Sequence, residues 1–490
     1  MGGSCSPARG DGPKITGVHL DSRLAGAGDL FAALPGTRDD GARFARDAAE
    51  RGASAVLTPR ALDLPSTGVS VPAQWVHPDA RRVAGVAAMR VYGEPARDMF
   101  VVGITGTNGK TTTAHLTGQL LRRAGRRPAV LGTAGNRLAD DVLRPTGHTT
   151  PDAPQLQRLL RDHRELGGDC VAMETSSHAL DQQRTAGLAF DVGVFTNLTR
   201  DHLDYHHDLE GYAAAKEQLF ANLRPGGSAV LNADDPTSDR FAKFAERHGA
   251  RVFKYSARLR GDLCASQLST DLSGSRFVLS GMGISRTKVA IPLIGRFNVE
   301  NALAAAAAAL LSGASPSSVL EGLASASSAP GRLEAVDMGD VPFRVLVDYA
   351  HTEAALENVC RVLRQSLSHA KTRRGRLIVV FGCGGDRDTG KRAPMGRAVN
   401  EFADIAIVTS DNPRSEDPAA IAAAIEAGMQ PQQAERVVEL DRRRAIQIAI
   451  ERAAPGDVVL IAGKGHETTQ TIGSAVLAFD DREVAAEVSR

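Results

Sequence analysis

The stretch from Phe100 to Arg123 constrains this chain more than any other. Phe100 to Ile104 is an apolar run of strand length, a glycine turn carries Gly106, Thr107, Asn108, Gly109, Lys110, Thr111 and Thr112, and Ala114 to Arg123 has helical composition. Strand, glycine turn, Lys-Thr and helix stand in the order that phosphate binding requires. The glycines turn backbone N–H groups toward phosphate oxygens, and the helix N-terminus adds partial positive charge. Lys110 reaches the β and γ phosphates, and Thr111 can hold Mg²⁺. The strict pattern would put a glycine at 104, where Ile104 stands, so a shorter form remains. Read alone, a plain glycine-rich turn is its alternative.

Elsewhere, apolar runs of four to six residues alternate with helical patterns, the mark of parallel sheets covered by helices, and the expected class is α/β. Strands are expected at Phe100 to Ile104, Ala129 to Leu131, Cys170 to Met173, Val192 to Phe195, Ser228 to Leu231, Leu377 to Phe381, Ile405 to Val408 and Val458 to Ile461. The 490 residues suit three domains. Turn-rich joints at Gly93 to Asp98 and Ser325 to Gly331 put these at 1–98, 99–330 and 331–490.

With 58 Lys and Arg against 57 Asp and Glu, scattered, the chain offers no basic stripe for nucleic acid. Its five cysteines are widely spaced, which fits a reducing compartment better than a disulfide framework or a structural zinc site. The apolar run Ala302 to Leu311 is too short to span a bilayer and reads as a buried helix. A cytoplasmic protein without membrane insertion is expected.

Glu174 ends an apolar run, where ligands meet the C-terminal edge of a parallel sheet, and a carboxylate there suits Mg²⁺. A strand-end glutamate capping the next helix is the alternative. The cluster Asp201, His202, Asp204, His206 and His207 follows another strand and suits contact with a nucleotide or its metal better than a closed zinc site. Lys216, in the helical stretch Tyr212 to Phe220, is by composition alone a solvated lysine.

Taken in order, Gly106 to Thr113, Glu174 to His178, Thr196 to Asp204, Ala214 to Lys216, Phe297 to Asn301, Pro330 to Arg332, Val347 to Thr352 and Phe381 to Asp388 resemble the Mur ligases of bacterial cell-wall synthesis over nearly the whole chain. The resemblance implies a central phosphate-loop ATPase domain with a parallel sheet, an N-terminal domain for a uridine nucleotide and a Rossmann-like C-terminal domain. It adds Asn301, Arg332 and Asp348 to the ATP contacts. It names Lys110, Glu174, His202 and Lys216 as catalytic, the last as an N6-carboxylated lysine holding Mg²⁺ together with Thr111, Glu174 and His202. For the nucleotide substrate it implicates Leu20, Ser22, Thr37, Arg38 and Asp39, then Thr149, Thr150, Ser176, Gln182 and Arg184.

Asp21 to Arg23, Asp411 to Arg414 and Gly463 to Glu467 resemble the branch of that family that uses diaminopimelate. The resemblance gives this role to Asp411, Asn412, Pro413 and Arg414, aided by Arg387, Gly463 and Glu467. An arginine can grip the second carboxylate that diaminopimelate has and lysine lacks. Alone, Arg414 is a turn residue after a proline. The implied activity is ATP-dependent ligation of diaminopimelate to the D-glutamate γ-carboxylate of UDP-N-acetylmuramoyl-L-alanyl-D-glutamate through an acyl phosphate, by a monomer. Glu353 and Ala354 depart from the family's Pro-Asp after His351 and Thr352. The nearest rival, folylpolyglutamate synthetase, shares the central architecture but not a nucleotide-sugar domain ahead of the phosphate loop.

Overall fold

The computed structural model describes residues 4–6, 13–36, 39–64, 72–258, 260–368, 375–430 and 433–488. Every run expected to be a strand lies in one: Phe100–Thr105, Pro128–Gly132, Cys170–Glu174, Phe190–Phe195, Leu223–Asn232, Leu377–Phe381, Ile405–Val408 and Val458–Ala462. Contacts divide the chain into two units, one of residues 1–264, 281–284 and 300–322, the other of residues 265–280, 285–299 and 323–490.

The first unit holds two sheets. In the smaller, Ala73–Val76, Ala55–Thr58, Asp29–Ala32 and Gly17–His19 run parallel in that spatial order, with Ser4–Ser6 antiparallel on the outside. The Asp79 carboxylate caps helix Ala80–Val91, which lays Val83, Ala84 and Ala88 against Val18, Leu30 and Leu57. In the larger sheet, Arg251–Ser256, Leu223–Asn232, Phe190–Phe195, Phe100–Thr105, Cys170–Glu174 and Pro128–Gly132 are parallel neighbours in that order. Buried Val101, Val171, Met173 and Phe190 fill one face with helix residues Leu156, Leu160 and Leu219. Both sheets fall in one unit because helix Ala80–Val91 seats directly on the central segment. A Cβ on Gly85 would come within 2.5 Å of the Ala186 carbonyl, so only glycine permits that approach. The alanine run lies in helix Arg296–Leu311, where Ala304 to Ala309 are no more than 1% exposed. Among the described residues no helix is long and apolar enough to cross a membrane.

The second unit is built on a sheet in which Arg344–Asp348, Val458–Ala462, Leu377–Phe381, Ile405–Val408 and Glu435–Val438 run parallel, with Glu334–Ala335 antiparallel at the edge. Helices Glu353–Ser368, Arg392–Phe402 and Pro418–Glu426 pack on one face. Helices Arg442–Arg452 and Asp481–Val488 cover the other. Val458–Ala462, Leu377–Phe381 and Ile405–Val408 are buried on both faces, which is why they read as unbroken apolar runs. A separate hairpin, Thr469–Ile472 with Ala475–Ala478, follows the last sheet strand.

Candidate active site

In the first unit, the parallel register aligns Glu174 with Ile104 and Phe195 with Thr105, so the phosphate loop, Glu174 and the segment after Phe195 leave the sheet along one edge. Helix Lys110–Arg123 starts at Gly109, whose φ of 85° is left-handed. A side chain on Gly109 would meet the Asn301 amide oxygen at 2.4 Å, and one on Gly106 would meet Thr196 Oγ1 at 1.9 Å. Both glycines are therefore demanded by space as well as by conformation. The loop is braced from the next strand: Thr196 Oγ1 donates to the Asn108 carbonyl at 2.6 Å, and Asn108 N–H donates to Asn197 Oδ1 at 2.9 Å. Asn301 is brought in from a distant helix, accepting from Thr113 Oγ1 at 3.3 Å.

Lys110 Nζ folds over the loop, donating to the carbonyls of Gly106 and Thr107, each at 2.8 Å. Lys216 Nζ donates to the same Gly106 carbonyl at 2.9 Å. The solvated lysine that composition suggests at 216 is overturned, because its side chain turns inward under the loop and is 1% exposed. Burial, and after it the charge of Lys110, holds the Lys216 amine well below the usual lysine range. The same environment depresses His202, through burial first and then Lys110 and Lys216 against the opposing pull of Asp201. His202 sits in left-handed backbone and packs edge-on to His178, their ring centroids 4.7 Å apart. Burial, then His202 and His206, push His178 down to about 4.

Glu174 is 2% exposed, and its carboxylate accepts from Thr133 N–H at 2.7 Å and Thr133 Oγ1 at 3.2 Å. Thr133 Oγ1 lies 3.0 Å from Thr149 Oγ1, so this carboxylate is tied to the segment carrying Thr149 and Thr150. Thr150 Oγ1 donates to the Glu174 carbonyl and accepts from Ser176 N–H, and Arg184 donates to the Thr150 carbonyl and to Gln182 Oε1. Leu20, Gln182 and Arg184 line a cleft of about 160 Å³ with Arg81, His148 and Asp152. The sequence reading missed these last three, since nothing in their spacing sets them apart. Thr37 and Arg38 lie outside the described residues.

In the second unit, the loops after the sheet strands gather Asp411, Asn412, Gly463 and Glu467 at the C-terminal strand ends, the edge where open parallel sheets bind ligands. Asn412 Nδ2 donates to Glu467 Oε2 at 3.0 Å. Arg414 has left-handed backbone with φ of 52°, fixed by a parallel bridge to the hairpin: its N–H donates to the Thr471 carbonyl and its carbonyl accepts from Gly473. Arg414 Nη1 donates to the Gly385 carbonyl at 2.6 Å. Arg387 is exposed. Asp348 accepts from the backbone of Leu333 and Ala350, and the Arg332 guanidinium lies 4.8 Å from the centre of the Tyr349 ring. Among the described residues no cluster of His, Cys, Asp and Glu suited to a metal is found.

Three family models match the chain in order: "Mur ligase family, catalytic domain" over residues 14–100, "Mur ligase middle domain" over 104–309, and "Mur ligase, glutamate ligase domain" over 331–465. A UDP-N-acetylmuramoyl-L-alanyl-D-glutamate–2,6-diaminopimelate ligase of Geobacillus thermodenitrificans is 44% identical over 97% of this chain and 95% of its own. Its namesake in Streptomyces coelicolor is 45% identical over 97% and 92%. A solved structure of a ligase with that name superposes with a TM-score of 0.69 at 36% identity, covering 97% of this chain and 94% of its own. A folylpolyglutamate synthase of Mycobacterium tuberculosis shares the fold at 21% identity and a TM-score of 0.63, covering 79% of this chain and 93% of its own.

Proposed function

Because this chain belongs to the Mur ligase family, we propose that it joins diaminopimelate to the D-glutamate γ-carboxylate of UDP-N-acetylmuramoyl-L-alanyl-D-glutamate with ATP, in peptidoglycan precursor synthesis. The observation that carries the choice of amino acid is Arg414, held in left-handed backbone two residues after Asn412 with its Nη1 on the Gly385 carbonyl. A guanidinium placed there suits a second carboxylate, and lysine has none.

The carboxylate is inert toward an amine until activated, so it first attacks the γ-phosphate of ATP, giving an acyl phosphate and ADP. Lys110 and the loop amides stabilise charge on the phosphoryl group in flight. The diaminopimelate amine, neutral at nitrogen, then attacks the acyl carbon, and phosphate leaves. Asn301 joins the loop on the ATP side. We read Arg332 and Asp348 as further ATP contacts.

Thr111, Glu174, His202 and a carboxylated Lys216 would hold Mg²⁺. A hydroxyl and a carboxylate suit a hard cation, the neutral His202 ring would add one nitrogen donor, and the buried Thr105 and Thr175 hydroxyls beside them lack hydrogen-bond partners among the described residues. A protonated Lys216 does not suit it, whereas its depressed amine can attack CO₂, forming an N–C bond and releasing a proton to leave an anionic carbamate. When bound, the metal neutralises charge between the phosphates.

Leu20, Ser22, Asp39, Thr149, Thr150, Ser176, Gln182 and Arg184, with Thr37 and Arg38, are assigned to the uridine nucleotide. The division of labour follows residues 1–98 for that nucleotide, 99–330 for ATP and 331–490 for the amino acid, in a cytoplasmic monomer. The test is phosphate release from Mg²⁺, ATP and the nucleotide substrate with meso- or LL-diaminopimelate, lysine or no amino acid. Release that needs one diaminopimelate isomer is expected; release with lysine alone overturns the assignment of Arg414.

A further inference from the structure

Lys464 stands between two glycines directly after strand Val458–Ala462, and its side chain is 0% exposed. Its three ammonium protons have three acceptors: the Thr469 carbonyl, Asn412 Oδ1 at 3.5 Å and Glu467 Oε2 at 3.4 Å. Asp411 Oδ1 lies 4.0 Å away. Asn412 is held from both sides of its amide, with Oδ1 facing Lys464 and Thr471 N–H while Nδ2 faces Glu467. The cation thus reinforces the orientation that Thr471 N–H and Glu467 give that amide, and draws Glu467 to the same place. It also decides the charge of the place. Asp411 and Glu467 bring two negative charges, which face Lys464 from one side and Arg332 and Lys391 across Tyr349 and His351 from the other, while exposed Arg387 is screened by solvent and the Arg442–Asp481 pair is neutral in itself. Lys464 is the cation nearest both carboxylates, and its removal would shift the local balance by one charge toward a bare ammonium, which is what the lysine side chain presents.

We propose that Lys464 is a positioning and specificity residue of the amino-acid site: its buried ammonium orients Asn412 and Glu467 and cancels one carboxylate charge, so that the site takes a zwitterionic amino-acid head in preference to a lone ammonium. The inference rests on the amino-acid assignment made under Proposed function. It adds a residue that touches no substrate.

The test compares the full-length protein with Lys464→Met, which keeps length and removes charge, and Lys464→Arg, which keeps charge. In Lys464→Met the KM for diaminopimelate rises about ten-fold while the KM values for ATP and the nucleotide stay within about two-fold, and the preference for diaminopimelate over lysine narrows by about ten-fold. Lys464→Arg recovers part of that preference. An unchanged preference in folded Lys464→Met overturns the inference, as does a parallel loss for all substrates with a lowered Tm. Should Lys464→Met fail to fold, the wild-type protein decides: lysine and 2-aminopimelate, heads of opposite net charge, are rejected to within a few-fold of each other, and a strong preference for lysine between them overturns the charge balance. Absence of diaminopimelate use by the wild type sinks the assignment itself; use of it with an indifferent Lys464→Met sinks only the role of Lys464.

Discussion

The phosphate loop and the proposed amino-acid site are built in opposite ways. The loop is one contiguous segment whose backbone does most of the work, and two glycines, Gly106 and Gly109, are required by neighbours at 1.9 and 2.4 Å. The amino-acid site is assembled from segments dozens of residues apart, around Gly385, Asp411 to Arg414 and Gly463 to Glu467, and is held by side chains and a hairpin. A backbone site with such close neighbours tolerates few changes. A side-chain site can be retuned one residue at a time, which suits the proposed role of these residues in choosing the amino acid.

That contrast is sharpened most by Lys110→Met. If this cation acts on the transferring phosphoryl group as proposed, its removal lowers kcat by about 10³-fold, with little change in KM for diaminopimelate, in a phosphate-release assay. Lys216→Met follows with a loss of about 10²-fold, part of which returns with added acetate standing in for the carbamate. Wild-type activity also falls when CO₂ and bicarbonate are stripped from the buffer; activity indifferent to both treatments removes the carbamate from the account. Arg414→Ala acts on the other region. It raises the KM for diaminopimelate by about ten- to a hundred-fold and leaves the ATP KM alone. An equal rise in both would erase the distinction between the two regions.

The smallest effect belongs to neither site. His163 is buried, accepts from Ala139 N–H at Nδ1 and lies with Nε2 3.0 Å from the Cys170 carbonyl, an arrangement that needs the neutral ring. Burial holds its pKa below 6.5. The unfolded chain therefore takes up a proton that the folded chain resists, so this contribution is complete above pH 6.5 and is lost as pH falls below it. Between pH 7.5 and 5.5 the Tm of the wild type falls about 1 to 3 °C further than that of His163→Gln, read by calorimetry.

The same contrast sets what the sequence could tell. The eight apolar runs are legible as strands because a strand buried on both faces admits few polar residues, and the phosphate loop is legible because its chemistry is local. Lys216 is not. Its helix looks solvated by composition, and only the turn of that helix under Gly106 buries it. Lys464 escapes for a similar reason, although a lysine between two glycines at the end of an apolar run was the available signal. Thr133 escapes too, since its grip on Glu174 joins positions 41 residues apart. The amino-acid site is legible through resemblance alone, because no spacing rule links Asn412 to Glu467. Gly85 explains why the first 98 residues pack as part of a larger unit despite a turn-rich joint, a close approach that no local pattern announces.

The central claim is that ATP activates a carboxylate which an amine then captures. With ¹⁸O in the γ-carboxylate of the nucleotide substrate, complete turnover with ATP and diaminopimelate puts one ¹⁸O into the released inorganic phosphate. Phosphate free of ¹⁸O, with the label left in product or found in AMP, would contradict the account.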